Sequence, residues 1–207
     1  MRIEGFNCGK QVSTNYSDVE ELIDGLKQLK LPTAKGYAEY PAHNPIFNAM
    51  MDMVGKRLGW QSFPLVIPKE DDFGIQMKGD LGKTMEDGCR VFVEIEIGNS
   101  ARVFADIVKF DVASQLETHD FFIFILPGEN AADKLGYCTS FQEFLQKRDF
   151  FKQFIRVPLI VVEIEPREEF DLNSVIDDPS DVSGRWGSKM STEFIIENKL
   201  EKELGIL

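Results

Sequence analysis

The run VFVEIEIGN, residues 91–99, constrains the fold more tightly than any other stretch of this chain. Successive side chains of a strand point to opposite faces. Val91, Val93, Ile95 and Ile97 therefore share one face, and Phe92, Glu94 and Glu96 share the other. An apolar face this regular belongs against a core, which predicts a half-buried strand. The Cα atoms of the two glutamates then stand about 6.5–7 Å apart on one face, from a rise of about 3.3 Å per residue. Carboxylates beside a core repel each other and are costly unless a cation answers them. Two readings follow: a solvated polar face on an antiparallel strand, or a pair of ligands for one divalent ion.

The segments around this strand alternate between helix and strand. Ser17 followed by Glu20 carries a capping-box signature, and Val19, Leu22, Ile23, Leu26 and Leu29 recur at helical spacing before Pro32. Asn44 as cap, Pro45 in the first turn and Gly59 at the far end predict a second helix. Its inward arc is Ile46, Phe47, Met50, Met53, Val54 and Leu58, which leaves Asn48, Asp52, Gly55 and Lys56 facing out. Residues 63–68, FPLVIP, read as a short strand bounded by prolines. The polar stretch behind it brings Asp71, Asp72, Asp80, Glu86 and Asp87 just upstream of the strand that bears Glu94 and Glu96. If 73–80 and 90–97 pair antiparallel, Asp80 lies near the connecting turn, where a loop acid meets two strand acids.

Ser100 is placed to cap a helix over 101–116 with Val103, Phe104, Ile107, Phe110 and Ala113 inward. FFIFIL at 121–126 and VPLIVVEIEP at 157–166 are apolar enough to be strands covered on both faces, with a helix over 140–154 between them. Phe121, Phe122, Phe124, Phe150, Phe151 and Phe154 read as core. The alternation predicts an α/β fold with a central mixed sheet flanked by helices. Its 207 residues suit one domain, with the acidic stretch 167–181 as a surface loop and a final amphipathic helix over 191–207.

Composition narrows the chemistry. Cys8, Cys89 and Cys138 form no CxxC pair, and His43 and His119 are the only histidines, so neither a disulfide framework nor a zinc site is indicated. A metal here would be held by oxygen, which favours magnesium, manganese or calcium. A net charge of −12 argues against loose attraction to nucleic acid but leaves room for a local basic cleft. Lys27, Lys30 and Lys35, with Tyr37 and Tyr40 close behind, read as a solvated helix end. No long apolar window and no apolar signal core at the N-terminus are present, which points to a cytoplasmic protein without a membrane span.

The ordered set IFNAMMDMVGKRLGW, MKGDLGK, VFVEIEIGN, a helix, a strand ending ILPG and a strand VPLIVVEIEP resembles the restriction endonucleases of the BglII and BstYI type, relatives of BamHI, over about residues 44–166. The resemblance implies a restriction-endonuclease-like fold and a microbial, Mg²⁺-dependent homodimer that cuts double-stranded DNA at a short palindromic site, with a GATC-centred hexamer as candidate and Mn²⁺ as substitute ion. It makes Asp80 and Glu94 the metal ligands, puts Glu96 in the third catalytic position and sets Asn48 on a helix beside the site. Asn99, Ser100 and Arg102 then face DNA, since Asn pairs bidentately with adenine. The longer link through TMEDG keeps Asp87 as a rival to Asp80. Other expectations remain open: a repair or structure-specific nuclease of the same fold, or a non-catalytic ion- or protein-binding domain. A glycosidase fits worst, because two acids on one strand face do not flank a sugar.

Overall fold

The computed structural model describes residues 1–35, 39–68, 77–176 and 187–207. In chain order the elements are β1 (Ile3–Phe6), α1 (Gly9–Ser13), α2 (Ser17–Lys27), β2 (Leu31–Thr33), α3 (Asn44–Arg57), β3 (Gln61–Ser62), β4 (Leu81–Thr84), β5 (Arg90–Ile95), α4 (Arg102–Gln115), β6 (Phe121–Pro127), α5 (Glu129–Leu135), α6 (Phe141–Gln146), α7 (Arg148–Phe151), β7 (Leu159–Ile164), β8 (Glu169–Asp171) and α8 (Ser188–Glu197). Six strands form one mixed sheet in the order β1-β7-β6-β5-β4-β3, and β2 pairs with β8 in a small parallel ribbon. β5, β6 and β7 run parallel, and both flanks are antiparallel.

Parallel neighbours need crossovers, and α4 and then α5 to α7 supply them. The crossovers and the α2, α3 and α8 layer bury the sheet on both sides. One face, with Val91, Val93, Phe121, Ile123, Ile160 and Val162, packs against α2, α3 and α8. The other, with Phe92, Phe122, Phe124, Leu159 and Val161, packs beneath α4, α6 and α7. Every residue of β6 and β7 is buried, which explains why FFIFIL and LIVVEI show no polar alternation.

The same layering corrects the half-buried reading of 91–99. Alternation in β5 separates two cores, not core from water: Phe92 is fully buried, and Glu94 and Glu96 are only 3% and 4% exposed. The ladder ends at Ile95, although the Glu96 N–H still donates to the Ile125 carbonyl at 3.0 Å. The register upstream also differs from expectation. β5 pairs with β4, Leu81 opposite Val93 and Thr84 opposite Arg90. Asp80 therefore lies beside the C-terminal end of β5, with its N–H on the Val93 carbonyl at 3.1 Å, and not in the connecting turn. Asp87 occupies that turn. Asp71 and Asp72 lie outside the described residues, as do Tyr37, Asp177, Asp178, Asp181, Arg185 and Trp186.

Several local expectations give way to tertiary contacts. The 63–68 segment forms no strand of its own; β3 lies at 61–62, and Leu65 makes a single bridge to Lys78. α2 begins at Ser17 behind Tyr16 with no side-chain cap. α3 is capped by His43, whose Nδ1 accepts the Ile46 N–H at 3.2 Å, so Asn44 becomes the first helical residue. Ser100 does not cap α4; its N–H donates to the Tyr137 carbonyl at 2.8 Å. A capping box does form at Ser140 and Glu143, but the 140–154 helix breaks into α6 and α7 at Lys147. Asp52 and Gly55 are buried: Leu81 of β4 sits on Gly55, where an added Cβ would meet its methyls at 2.7 Å, and Ser62 Oγ and Lys56 Nζ meet the Asp52 carboxylate. Phe104, Phe150 and Phe154 are about half exposed, not core. Lys27 and Lys30 pair with Asp24 and Glu168, as a solvated helix end does. No helix among the described residues is long and apolar enough to cross a membrane.

Candidate active site

The C-terminal end of β5, the N-terminal half of α3 and one side of α4 enclose a cleft of about 730 Å³. Clefts at the carboxyl ends of parallel strands are where open α/β sheets bind ligands. Asp80, Glu94, Glu96 and Asn48 all line it. Asp80 Oδ2 accepts the Ile95 N–H at 2.7 Å, which places its carboxyl on the same cleft as that of Glu94. Glu94 Oε1 accepts from Lys109 Nζ at 2.9 Å, and the same ammonium lies 2.9 Å from Asp106 Oδ1. Glu96 is held differently: its Oε1 accepts the N–H groups of Gly98 and Asn99, each at 2.7 Å, which ties the acid to its own loop.

On the opposite wall Asn48 is exposed, and one turn further on Asp52 is buried between Ser62 Oγ and Lys56 Nζ. Arg102 lines the cleft. Asn99 and Ser100 lie in the exposed loop between β5 and α4, outside the cleft wall, where Asn99 Oδ1 accepts the Ala101 N–H at 2.9 Å. Asp87 is at the other end of β4, occupied by Tyr16 Oη and the Cys89 N–H, and does not compete with Asp80 for the cleft.

Asp106 and Lys109 were not singled out by the sequence reading. Their signal was present: on α4, Arg102, Ala105, Asp106 and Lys109 fall on a second arc beside the apolar arc of Val103, Ile107 and Phe110. An i,i+3 acid–base pair on such an arc also suits a plain solvated face, so the pattern alone did not mark a site.

Burial dominates the electrostatics. It pushes Glu94 up to about 9, with the Asp80 and Asp106 charges acting in the same direction and Lys109 opposing them. Burial also raises Asp80, Asp106 and Glu96, the last against the pull of the Asn99 and Gly98 N–H groups. Lys109 is raised as well, because the Glu94 and Asp106 carboxylates outweigh its own burial. The donor set fits a hard divalent ion. Asp80 and Glu94 bring two carboxylates to one cleft beside a core, where both cannot ionise cheaply without added positive charge. No group of three histidine, cysteine or carboxylate side chains placed to hold an ion is found among the described residues.

A pH dependence follows. A carboxyl that holds its proton more tightly when folded stabilises the fold below its ordinary value of 4.5, and that stability is lost as pH climbs toward about 9. His119, lowered to about 4 by burial and by Arg90, acts in the opposite sense below 6.5 and drops out above it. Metal-free protein is therefore expected to lose stability steadily from about 6.5 to 9, and saturating Mg²⁺ is expected to flatten that slope. Urea unfolding across this range in EDTA and in Mg²⁺ measures it; parallel curves would remove the coupling between ion and acid pair.

A mixed sheet whose central strand delivers paired carboxylates into a cleft, with an ammonium beside them, defines the class: a nuclease of restriction-endonuclease-like fold. The sequence pattern of the family described as restriction endonuclease BglII/BglIII matches residues 2–164, and the chain belongs to that family. It is accordingly a type II site-specific endonuclease that acts on double-stranded DNA. The match begins well before residue 44, in keeping with β1 pairing as a strand of the main sheet. Among solved structures, the crystal structure of free BglII is similar over 82% of this chain and 81% of that chain, at 17% identity and a TM-score of 0.48. No curated protein matches the chain significantly in sequence.

Proposed function

We propose that the chain is a single Mg²⁺-dependent nuclease domain, with residues 44–166 as catalytic core and 167–207 as acidic loop and C-terminal helix. It cuts a short palindromic site as a homodimer in the cytoplasm of a microbial cell. The observation that carries this reading is the gathering of Asp80, Glu94, Glu96 and Asn48 around one cleft at the C-terminal end of β5. Asp80 and Glu94 would hold the ion, and Mn²⁺ would substitute on ligand hardness. Bound there, the ion supplies charge that polarises the scissile phosphate and stabilises the developing negative charge. Glu96, fixed by the Gly98 and Asn99 N–H groups, orients or deprotonates the attacking water. Asn48 adds an uncharged hydrogen-bonding group from α3. Asn99, Ser100 and Arg102 face the duplex, Asn99 suited to adenine and Arg102 to phosphate or guanine. A GATC-centred hexamer is the candidate target.

The homodimer has support in the surface. Phe104 and Val108 of α4 are 52% and 55% exposed, and Phe150 and Phe154 are 47% and 50% exposed. Their rings adjoin, Phe104 to Phe150 at 6.1 Å and Phe150 to Phe154 at 5.0 Å. An apolar patch of this kind on α4, which lines the site, and on the neighbouring 150–154 segment suits a second copy. Phe104→Glu is expected to yield monomers in sedimentation velocity without loss of folding; dimers that persist would move the interface elsewhere.

Digestion of unmethylated bacteriophage DNA tests the reading as a whole. Discrete fragments in Mg²⁺ and none in EDTA are expected, with the target read from the sequenced ends. Uncut or diffusely degraded DNA from folded protein would reject site-specific cleavage.

A further inference from the structure

We propose that Lys109, delivered from α4 and not from β5, is the built-in cation of the site. It holds Glu94 and Asp106 together before a divalent ion binds, and then exchanges Glu94 for a phosphate oxygen of the DNA. This rests on the nuclease reading above. Lys109 Nζ stands 2.9 Å from both Glu94 Oε1 and Asp106 Oδ1, and those side chains are only 4% and 5% exposed. Glu94 and Asp106 thus share one close ammonium; with Asp80 on the same cleft, three carboxylates against one ammonium leave two charges over, which is what one divalent ion supplies.

The C-terminal end of β5 has no cation of its own to offer, since Arg90 stands at the other end and pairs with Asp120. Glu96, two residues past Glu94, is bound to the Gly98 and Asn99 N–H groups, so positive charge at this end of β5 must arrive from elsewhere. The inner arc of α4 provides it. Lys109 is suited to exchange partners: its side chain keeps 23% exposure, its stem is flexible, and Asp106 one turn earlier retains the ammonium when Glu94 is given up. An ammonium released beside the ion then meets the phosphate that DNA brings, and charge-assisted contacts to phosphate are strong.

The test uses Lys109→Met and the charge-balanced Asp106→Asn/Lys109→Met pair, which serves if the single variant does not fold. Without DNA, Mg²⁺ is expected to raise the Tm of either variant by about 4 °C more than that of the parent, because no ammonium has to be displaced. Single-turnover cleavage is expected to fall by about a hundredfold or more. Equal Mg²⁺ shifts in parent and variants, or cleavage by Lys109→Met at the parental rate, would overturn the proposal. A parent that cuts no DNA but shows the expected difference in Mg²⁺ response supports Lys109 as counter-ion and defeats the nuclease reading instead.

Discussion

Glu94→Gln is expected to leave the protein folded and to slow single-turnover cleavage by about a thousandfold or more, the loss of several kcal/mol of charge stabilisation at the phosphate. The substitution is isosteric, so the wall of the cleft keeps its shape, and what disappears is the negative oxygen. The same change is expected to raise metal-free stability by about 1–2 kcal/mol, since functional sites store unfavourable charge. Glu94 is buried against two other carboxyls, Asp80 and Asp106, and its raised proton affinity records that cost. Lys109 loses one partner but keeps Asp106, so no ammonium is orphaned. Unfolding in EDTA alongside cleavage in Mg²⁺ separates the two effects. Parental cleavage by Glu94→Gln would remove Glu94 from the site; lower stability would show that its ion pair with Lys109 outweighs the repulsion.

Phe110→Ala is expected to cost about 3–5 kcal/mol. Phe110 is 1% exposed and packs at 5.9, 5.4 and 5.7 Å from the rings of Phe92, Phe122 and Phe124. These rings come from the two central parallel strands, so the side chain pins α4 to the middle of the sheet. Truncation leaves a cavity that a sheet on one side and a helix on the other fill poorly. Because α4 also carries Asp106 and Lys109, the loss reaches the site through the helix. Gln115→Ala, at an exposed position near the end of the same helix and outside the apolar patch, is the control and is expected to stay within about 0.5 kcal/mol. Equal urea midpoints for the two variants would mean that α4 is not held by this cluster.

The apolar content of β6 and β7 and the alternation in β5 made the α/β sheet legible, because strands covered on both faces leave no polar register to disguise them. The acids were legible too: Glu94 and Glu96 share a face by strand geometry alone, and the MKGD run put Asp80 within range. Local sequence misled where a neighbour set the environment. The half-buried strand became one covered on both faces because α4 packs on the Phe92 face, and Gly55 turned inward because Leu81 packs on it. The caps expected at Asn44 and Ser100 yielded to His43 and to the Tyr137 carbonyl.

The sequence by itself determined which residues are strand-forming and which carboxylates share a strand face, since both follow from period and side-chain chemistry along one segment. Tertiary structure alone decided that Asp80, not Asp87, shares the cleft with Glu94, that Glu96 turns to its own loop, and that the ammonium comes from α4. Those choices depend on the β4–β5 register and on the rotation of a helix against a sheet, and contacts between segments distant in sequence set both.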